Sequence, residues 1–172
     1  RTVWGRLCGL LGEVTPQALL AQPQTALQAL GLSARKVDYM RGIARQVVDG
    51  ELDLPGMAAL EDAEVCRRLA ALRGIGVWTA EMLLLFSLQR PDILSYDDLA
   101  IRRGLRMLYR HKEMPRERFE RYRRRFSPYG SLASLYLWAI AGGALPELDD
   151  PAERKKGRSR PAASLKSTVT KD

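Results

Sequence analysis

Cysteine and histidine are scarce in this chain. Cys8 and Cys66 are the only cysteines among 172 residues, and His111 is the only histidine. Two thiols cannot build a disulfide scaffold, and they are too few for a four-cysteine iron–sulfur cluster or zinc ribbon. One imidazole excludes a histidine-rich metal site. Long hydrophobic runs are missing as well: nothing approaches the roughly 20 apolar residues of a membrane-spanning helix. The start, Arg1-Thr2-Val3-Trp4, lacks both a signal-peptide pattern and an initiator Met. Together these point to an intracellular protein with no membrane partner, in the cytoplasm or nucleoid, or in the nucleus if the source is eukaryotic. Sustained apolar–polar alternation is also absent, which excludes a strand-rich fold.

Positive charge is what the chain has in excess. Lys and Arg number 28 against 20 Asp and Glu, a formal net charge of +8. Such an excess points to a polyanion, most often nucleic acid. The charge is uneven. Residues 102–125 hold eleven basic side chains against three acidic ones, interleaved with Leu105, Tyr109, Phe119, Tyr122 and Phe126. That block can fold with a wet face, which is either plain solvated surface or a phosphate contact. Residues 151–172 hold seven basic residues against two acidic and have almost nothing to bury. They read as a disordered tail. The expected organisation is one folded domain over 1–148 and a basic, disordered tail over 149–172. An apolar fraction of 46% is ample for the domain's core.

The periodicity predicts an all-α bundle of short helices. Thr15-Pro16 is a cap followed by a proline at the first helical position. Thr25 caps a short helix that ends before Gly31. Ser33 opens a longer helix, which Gly50 stops. Pro55-Gly56 is a turn, and Asp62 caps the next helix. After Arg73-Gly74-Ile75-Gly76 a helix runs from about Val77 to Leu88. Asp97 or Asp98 begins the following one, which reaches Tyr109. Pro115 starts another, and Ser131 starts the last, ending at Gly142-Gly143.

The tight connection Leu72-Arg73-Gly74-Ile75-Gly76-Val77 is the first feature with chemistry. Two glycines permit a sharp turn and leave backbone N–H groups uncovered. The next helix begins at once, so its free N–H groups and positive dipole end point the same way. That arrangement cradles a phosphate without a side chain. Ile75 pins the turn to the core. The plain alternative is an ordinary helix–helix turn. The spacing nevertheless predicts a helix-hairpin-helix motif.

The residues Leu72-Arg73-Gly74-Ile75-Gly76-Val77-Trp78-Thr79-Ala80, followed by Asp97-Asp98-Leu99-Ala100-Ile101, resemble the helix-hairpin-helix superfamily of DNA glycosylases. Within it they are similar to the 3-methyladenine DNA glycosylase II (alkylation-repair) branch. The resemblance runs from near Leu7 to Gly142 and takes in Gly31-Leu32-Ser33, Lys36 and the stretch Pro128-Tyr129-Gly130-Ser131-Leu132. It implies base-excision repair: a damaged base is flipped from double-stranded DNA and its N-glycosidic bond is hydrolysed. Alkylated purines of the 3-methyladenine and 7-methylguanine type are the implied substrates.

Glycosidic cleavage builds positive charge on the deoxyribose, and a nearby carboxylate stabilises that state and orients a water. Asp97 and Asp98 both stand at a helix start, where either could equally be an ordinary cap. In the family pattern the functional Asp precedes Ile or Val by three residues. Asp98-Leu99-Ala100-Ile101 fits, so Asp98 is the candidate and Asp97 the fallback. Aromatic walls suit electron-poor alkylated bases. The resemblance puts Trp78 and Trp138 at the base pocket, although core packing is the commoner fate of Trp. Tyr96 and Met82 join them, Met82 where some relatives carry an aromatic. Arg73, Gly74, Ile75, Gly76 and Thr79 are the candidate phosphate-binding residues. Arg73 stands where many relatives have Pro.

Bifunctional relatives carry a Lys at the position of Trp78, whose amine forms a Schiff base with the sugar. None of the six lysines here lies in or beside the hairpin. Monofunctional hydrolysis is therefore expected. The resemblance further implies a monovalent cation, K+ or Na+, on the carbonyls of Ala70, Leu72 and Ile75, with no other cofactor and no iron–sulfur cluster. A monomer is expected. The loop that wedges into DNA in relatives would precede Arg1, so the sequence either lacks that loop or is truncated at its N-terminal side. Two alternatives stay open: a non-catalytic helix-hairpin-helix DNA-binding module, and a glycosylase for uracil or mismatched bases.

Overall fold

The protein is described by a computed structural model covering residues 2–153. These residues form nine α-helices and a 3-10 helix, with no strand among the described residues. The helices are α1 (Val3–Leu11), α2 (Pro16–Ala21), α3 (Gln24–Ala29), α4 (Ala34–Val48), α5 (Asp62–Ala70), α6 (Val77–Phe86), α7 (Leu99–Tyr109), α8 (Arg116–Phe126) and α9 (Gly130–Ala141), with the 3-10 turn at Pro55–Ala59. None of them is long and apolar enough to cross a membrane.

The caps follow the chemistry read from the sequence, with some shifts. Thr2, Thr15 and Ser33 each accept a backbone N–H at the start of α1, α2 and α4. Thr25 does not cap α3; Pro23 holds that position, its extended backbone leading directly into the helix. Glu61 rather than Asp62 precedes α5, and Asp62 and Glu64 lie in the first turn, where the helix dipole favours acids. Helix α6 ends at Phe86 instead of Leu88. The N–H groups of Ser87 and Leu88 both turn back to the Leu83 carbonyl, and Gln89 then takes a positive φ of 53°.

The core has three centres. Leu7, Leu19, Leu27, Val37 and Ala44 join α1 to α4. Val65, Leu69, Leu72, Ala80, Leu84 and Ile93 hold the α5–α6 hairpin pair together with the loop that follows. Leu94, Ile101, Leu105, Phe119 and Leu137 fill the space between α7, α8 and α9. Trp138 packs against the second and third centres alike. The crossing of α7 and α9 is close. A Cβ placed on Gly104 would lie 2.4 Å from the Leu137 carbonyl oxygen.

The folded part extends past the boundary expected at 148. Asp150 is buried, and Arg106 grips it at two points, Nε to Oδ1 at 3.1 Å and Nη2 to Oδ2 at 2.5 Å. Arg103 adds contacts to Asp150 at 3.6 Å and to Glu153 at 3.2 Å. The remainder of the expected tail, residues 154–172, lies outside the described residues.

Candidate active site

The hairpin between α5 and α6 is residues 71–76. Gly74 has a φ of +94°, and a Cβ there would strike the Tyr39 ring at 2.2 Å. Only glycine suits both demands. Ile75 is partly buried against the second core centre, as expected. Gly76 differs: its φ is −91°, and a Cβ would meet nothing within 4 Å. Nothing among the described residues requires a glycine there, and they leave the space beside it open. No side chain among the described residues caps α6. The N–H groups of Val77, Trp78 and Thr79 at its first turn have no intrahelical acceptor. Arg73 leans back on α4, 3.5 Å from Asp38 and with its guanidinium 5.4 Å from the Tyr39 ring centre.

Asp98 stands at the N-terminus of α7 and is 6% exposed, whereas Asp97 is exposed. Its Oδ1 accepts the Ile101 N–H at 2.8 Å, which makes it the cap of α7. Its Oδ2 accepts the Trp78 indole N–H at 2.9 Å. The cap and the candidate catalytic carboxylate are thus one residue. Each carboxylate oxygen has two acceptor sites, and each uses one of them here. The second of these hydrogen bonds gives Trp78 a task that the sequence did not suggest: it fixes the carboxylate across the hairpin.

A long loop, residues 87–98, delivers Asp98, and it is stapled to the start of α9. Ser131 Oγ donates to the Arg90 carbonyl at 2.5 Å and accepts the Ile93 N–H at 3.0 Å. Ser134 Oγ donates to the Ile93 carbonyl at 2.8 Å. Asp92 accepts from Ser127 Oγ at 2.6 Å and from the Gly130 N–H at 3.0 Å. Closer to the carboxylate, buried Ser95 donates to Glu81 of α6. Burial foremost, then the charge of Asp97, pushes the Glu81 carboxyl above its ordinary range, while the Ser95 hydrogen bond opposes that shift.

The aromatic candidates separate. Trp78 is 46% exposed and presents its ring surface beside Asp98. Met82, partly buried, lies one turn further along α6, and Phe86, 59% exposed, one turn further again. The i, i+4, i+8 spacing puts all three on one face. Trp138 stacks on Phe86 with ring centres 5.7 Å apart and planes inclined by 10°. Phe86 escaped the sequence reading, although continuing the Trp78–Met82 step by one turn would have reached it. Tyr96 packs against α7 and α8. Its ring meets Phe119 edge-on at 5.2 Å, and the guanidiniums of Arg102 and Arg116 sit 4.9 and 5.1 Å from its centre.

Three backbone carbonyls lie in the hairpin or at the end of α5 that enters it. Leu72 O accepts the Ile75 N–H at 3.0 Å, and the carbonyls of Ala70 and Ile75 accept no backbone N–H among the described residues. A set of neutral backbone oxygens suits a hard monovalent cation.

Residues 1–128 match the HhH-GPD superfamily of base excision DNA repair proteins. The chain is 35% identical over 144 residues to DNA-3-methyladenine glycosylase 1 of Schizosaccharomyces pombe, which covers 83% of this chain and 62% of that protein. Its fold matches the crystal structure of DNA-3-methyladenine glycosidase from Bacillus halodurans with a TM-score of 0.74 and 36% identity, over 85% of this chain and 69% of that one. It also matches a Schizosaccharomyces pombe 3-methyladenine DNA glycosylase in complex with abasic DNA, with a TM-score of 0.72 and 33% identity, over 80% of this chain and 69% of that one. The chain thus spans less than two thirds of the first relative's length.

Proposed function

Because the chain belongs to the HhH-GPD superfamily of base excision DNA repair proteins, in its alkylation-repair branch, we propose that it excises alkylated purines from double-stranded DNA by monofunctional hydrolysis. The observation that carries this reading is the Trp78–Asp98 pair: a nearly buried carboxylate held by an exposed aromatic ring. A DNA-binding module needs the hairpin but neither of these residues in this relation.

In this reading the target nucleotide leaves the stack and its base enters against the Trp78–Met82–Phe86 face of α6. A purine methylated at N3 or N7 carries positive charge, which the electron-rich ring of Trp78 favours. As the N-glycosidic bond lengthens, its electron pair goes to the departing base, which leaves neutral. Positive charge grows on the sugar, and the Asp98 carboxylate stabilises it. Water adds at the sugar carbon, and its proton passes to Asp98 or to solvent. The products are a free base and an abasic site.

The uncapped N-terminus of α6, with Gly74, Ile75, Gly76 and Thr79, holds a DNA phosphate, and the open space at Gly76 admits it. Arg73 adds charge beside it. The carbonyls of Ala70, Leu72 and Ile75 would hold a monovalent cation, which would supply further positive charge at the hairpin. The relatives' names support alkylated bases over uracil or mismatched bases.

The test is to incubate the protein with methylated duplex DNA and analyse both products. Release of 3-methyladenine and 7-methylguanine is expected, with strands nicked only after alkali. Tight duplex binding without any release would favour the binding-module reading. Nicking without alkali would contradict monofunctional chemistry.

A further inference from the structure

The basic block contains a second organised feature, away from Asp98. Arg118, Arg121, Tyr122 and Arg125 recur along α8 at the spacing of one helix face. With His111 they line a concavity of about 370 Å3. His111 follows the opposite end of α7 from Asp98, and the eleven residues of α7 put about 16 Å between the two ends.

The concavity is built rather than incidental. Tyr109 stacks on Tyr122 with ring centres 4.2 Å apart. The Tyr122 hydroxyl lies 2.7 Å from His111 Nε2. Two rim cations are held in place: Arg118 Nη1 donates to the Glu113 carbonyl at 2.9 Å, and the Arg125 guanidinium sits 5.9 Å from the Tyr109 ring centre. No carboxylate among the described residues lines the space. Glu120, on the same helix, is engaged with Arg116 and Arg123 instead. Like charges three and four residues apart oppose a helix, and here no acid among the described residues pairs with Arg118, Arg121 or Arg125.

We propose that this concavity binds a phosphate group, supplied either by a nucleic-acid backbone or as free phosphate. Three guanidiniums offer the forked donors that match phosphate oxygens. The Tyr122–His111 pair adds a further polar contact. The groups facing His111 are Arg118, Arg121 and the Tyr122 hydroxyl on α8 and the Tyr109 ring on α7. Burial first, then the charges of Arg118 and Arg121, holds the imidazole below its ordinary range. An anion among these cations offsets the second effect. Occupancy therefore raises the pKa of His111, and binding tightens as pH falls.

His111 is the only histidine, so its ring signal in NMR reports on this site alone. The protein is titrated with sodium phosphate, and separately with an undamaged duplex oligonucleotide, each against sodium chloride at matched ionic strength. A saturable shift of the His111 signal and a raised titration midpoint are expected, both abolished in the Arg118→Gln/Arg121→Gln double variant. If that variant does not fold, Arg125→Gln alone is expected to weaken the response severalfold. A response to both ligands identifies a general phosphate site; a response to DNA alone identifies its backbone as the source. No response beyond sodium chloride, or an undiminished response in the variants, overturns the proposal. The readout needs no base release, so it stands apart from the glycosylase reading.

Discussion

Asp98 performs two tasks with one carboxylate, and its neighbour shows why. Oδ1 closes the first turn of α7 and Oδ2 takes the Trp78 indole N–H. Replacing Trp78 by Phe keeps an aromatic surface and removes that second donor. A hydrogen bond to a charged group is worth about 1.5–3 kcal/mol, so base release by Trp78→Phe should slow roughly 10- to 100-fold. Duplex affinity should hardly change. Single-turnover kinetics and a binding titration separate the two, and an unchanged rate would remove Trp78 as a positioning group. Both residues were legible in the sequence as separate candidates. Their hydrogen bond was not, because it depends on where the hairpin turn aims α6. Tyr96 was legible only as a neighbour of Asp98, and its packing against Phe119, Arg102 and Arg116 comes from elements distant in sequence.

At the scale of elements, the hairpin glycines look alike in sequence and differ in the fold. Gly74 is fixed by its positive φ and the Tyr39 ring, whereas Gly76 faces open space. Gly76→Ala should therefore cost about 1 kcal/mol or less in stability, yet weaken duplex binding if a phosphate occupies that space. Denaturant unfolding and a DNA titration on the same variant decide this, and unaltered binding would count against the cradle. The α7–α9 crossing gives a contrasting case. A Cβ on Gly104 meets backbone, which has no rotamer to yield, so Gly104→Ala should destabilise by about 1–3 kcal/mol. Stability within error of wild type would mean that the helices part easily. The sequence placed Gly104 inside a helix by periodicity, but gave no hint of its contact, since the Leu137 carbonyl comes from a helix two elements away. The helix starts were mostly legible because Thr15, Ser33 and Asp98 are good caps. The loop stapling by Asp92, Ser131 and Ser134 was not, because these residues join the loop to α9 across the fold.

Over the whole molecule, the charges of the 28 basic side chains are less available than their number suggests. Arg103 and Arg106 spend theirs on Asp150 and Glu153. Composition set the domain edge at 148, and it cannot register an ion pair spanning 44 residues. The Arg106 hydrogen bonds hold the Asp150 carboxyl below its ordinary range, against the opposing effect of burial. A carboxylate with a lowered pKa stabilises the fold above its unfolded value of about 4, and that stability is lost as pH falls through the folded value. Thermal unfolding between pH 6 and pH 3, as a series of about equal steps, should show wild type losing more stability than Asp150→Asn. Parallel curves would mean that the pair contributes nothing to the pH dependence.

In the proposed mechanism, Asp98 drives base release on this scaffold. Asn caps helices as well as Asp does, so Asp98→Asn should fold, melt near wild type and still bind duplex DNA. Single-turnover release of 3-methyladenine from methylated duplex is the measurement, with wild type and variant side by side. The predicted result is release by wild type and a loss of about 100-fold or more in the variant. Equal release by a well-folded Asp98→Asn protein would mean that Asp98 does not drive the reaction.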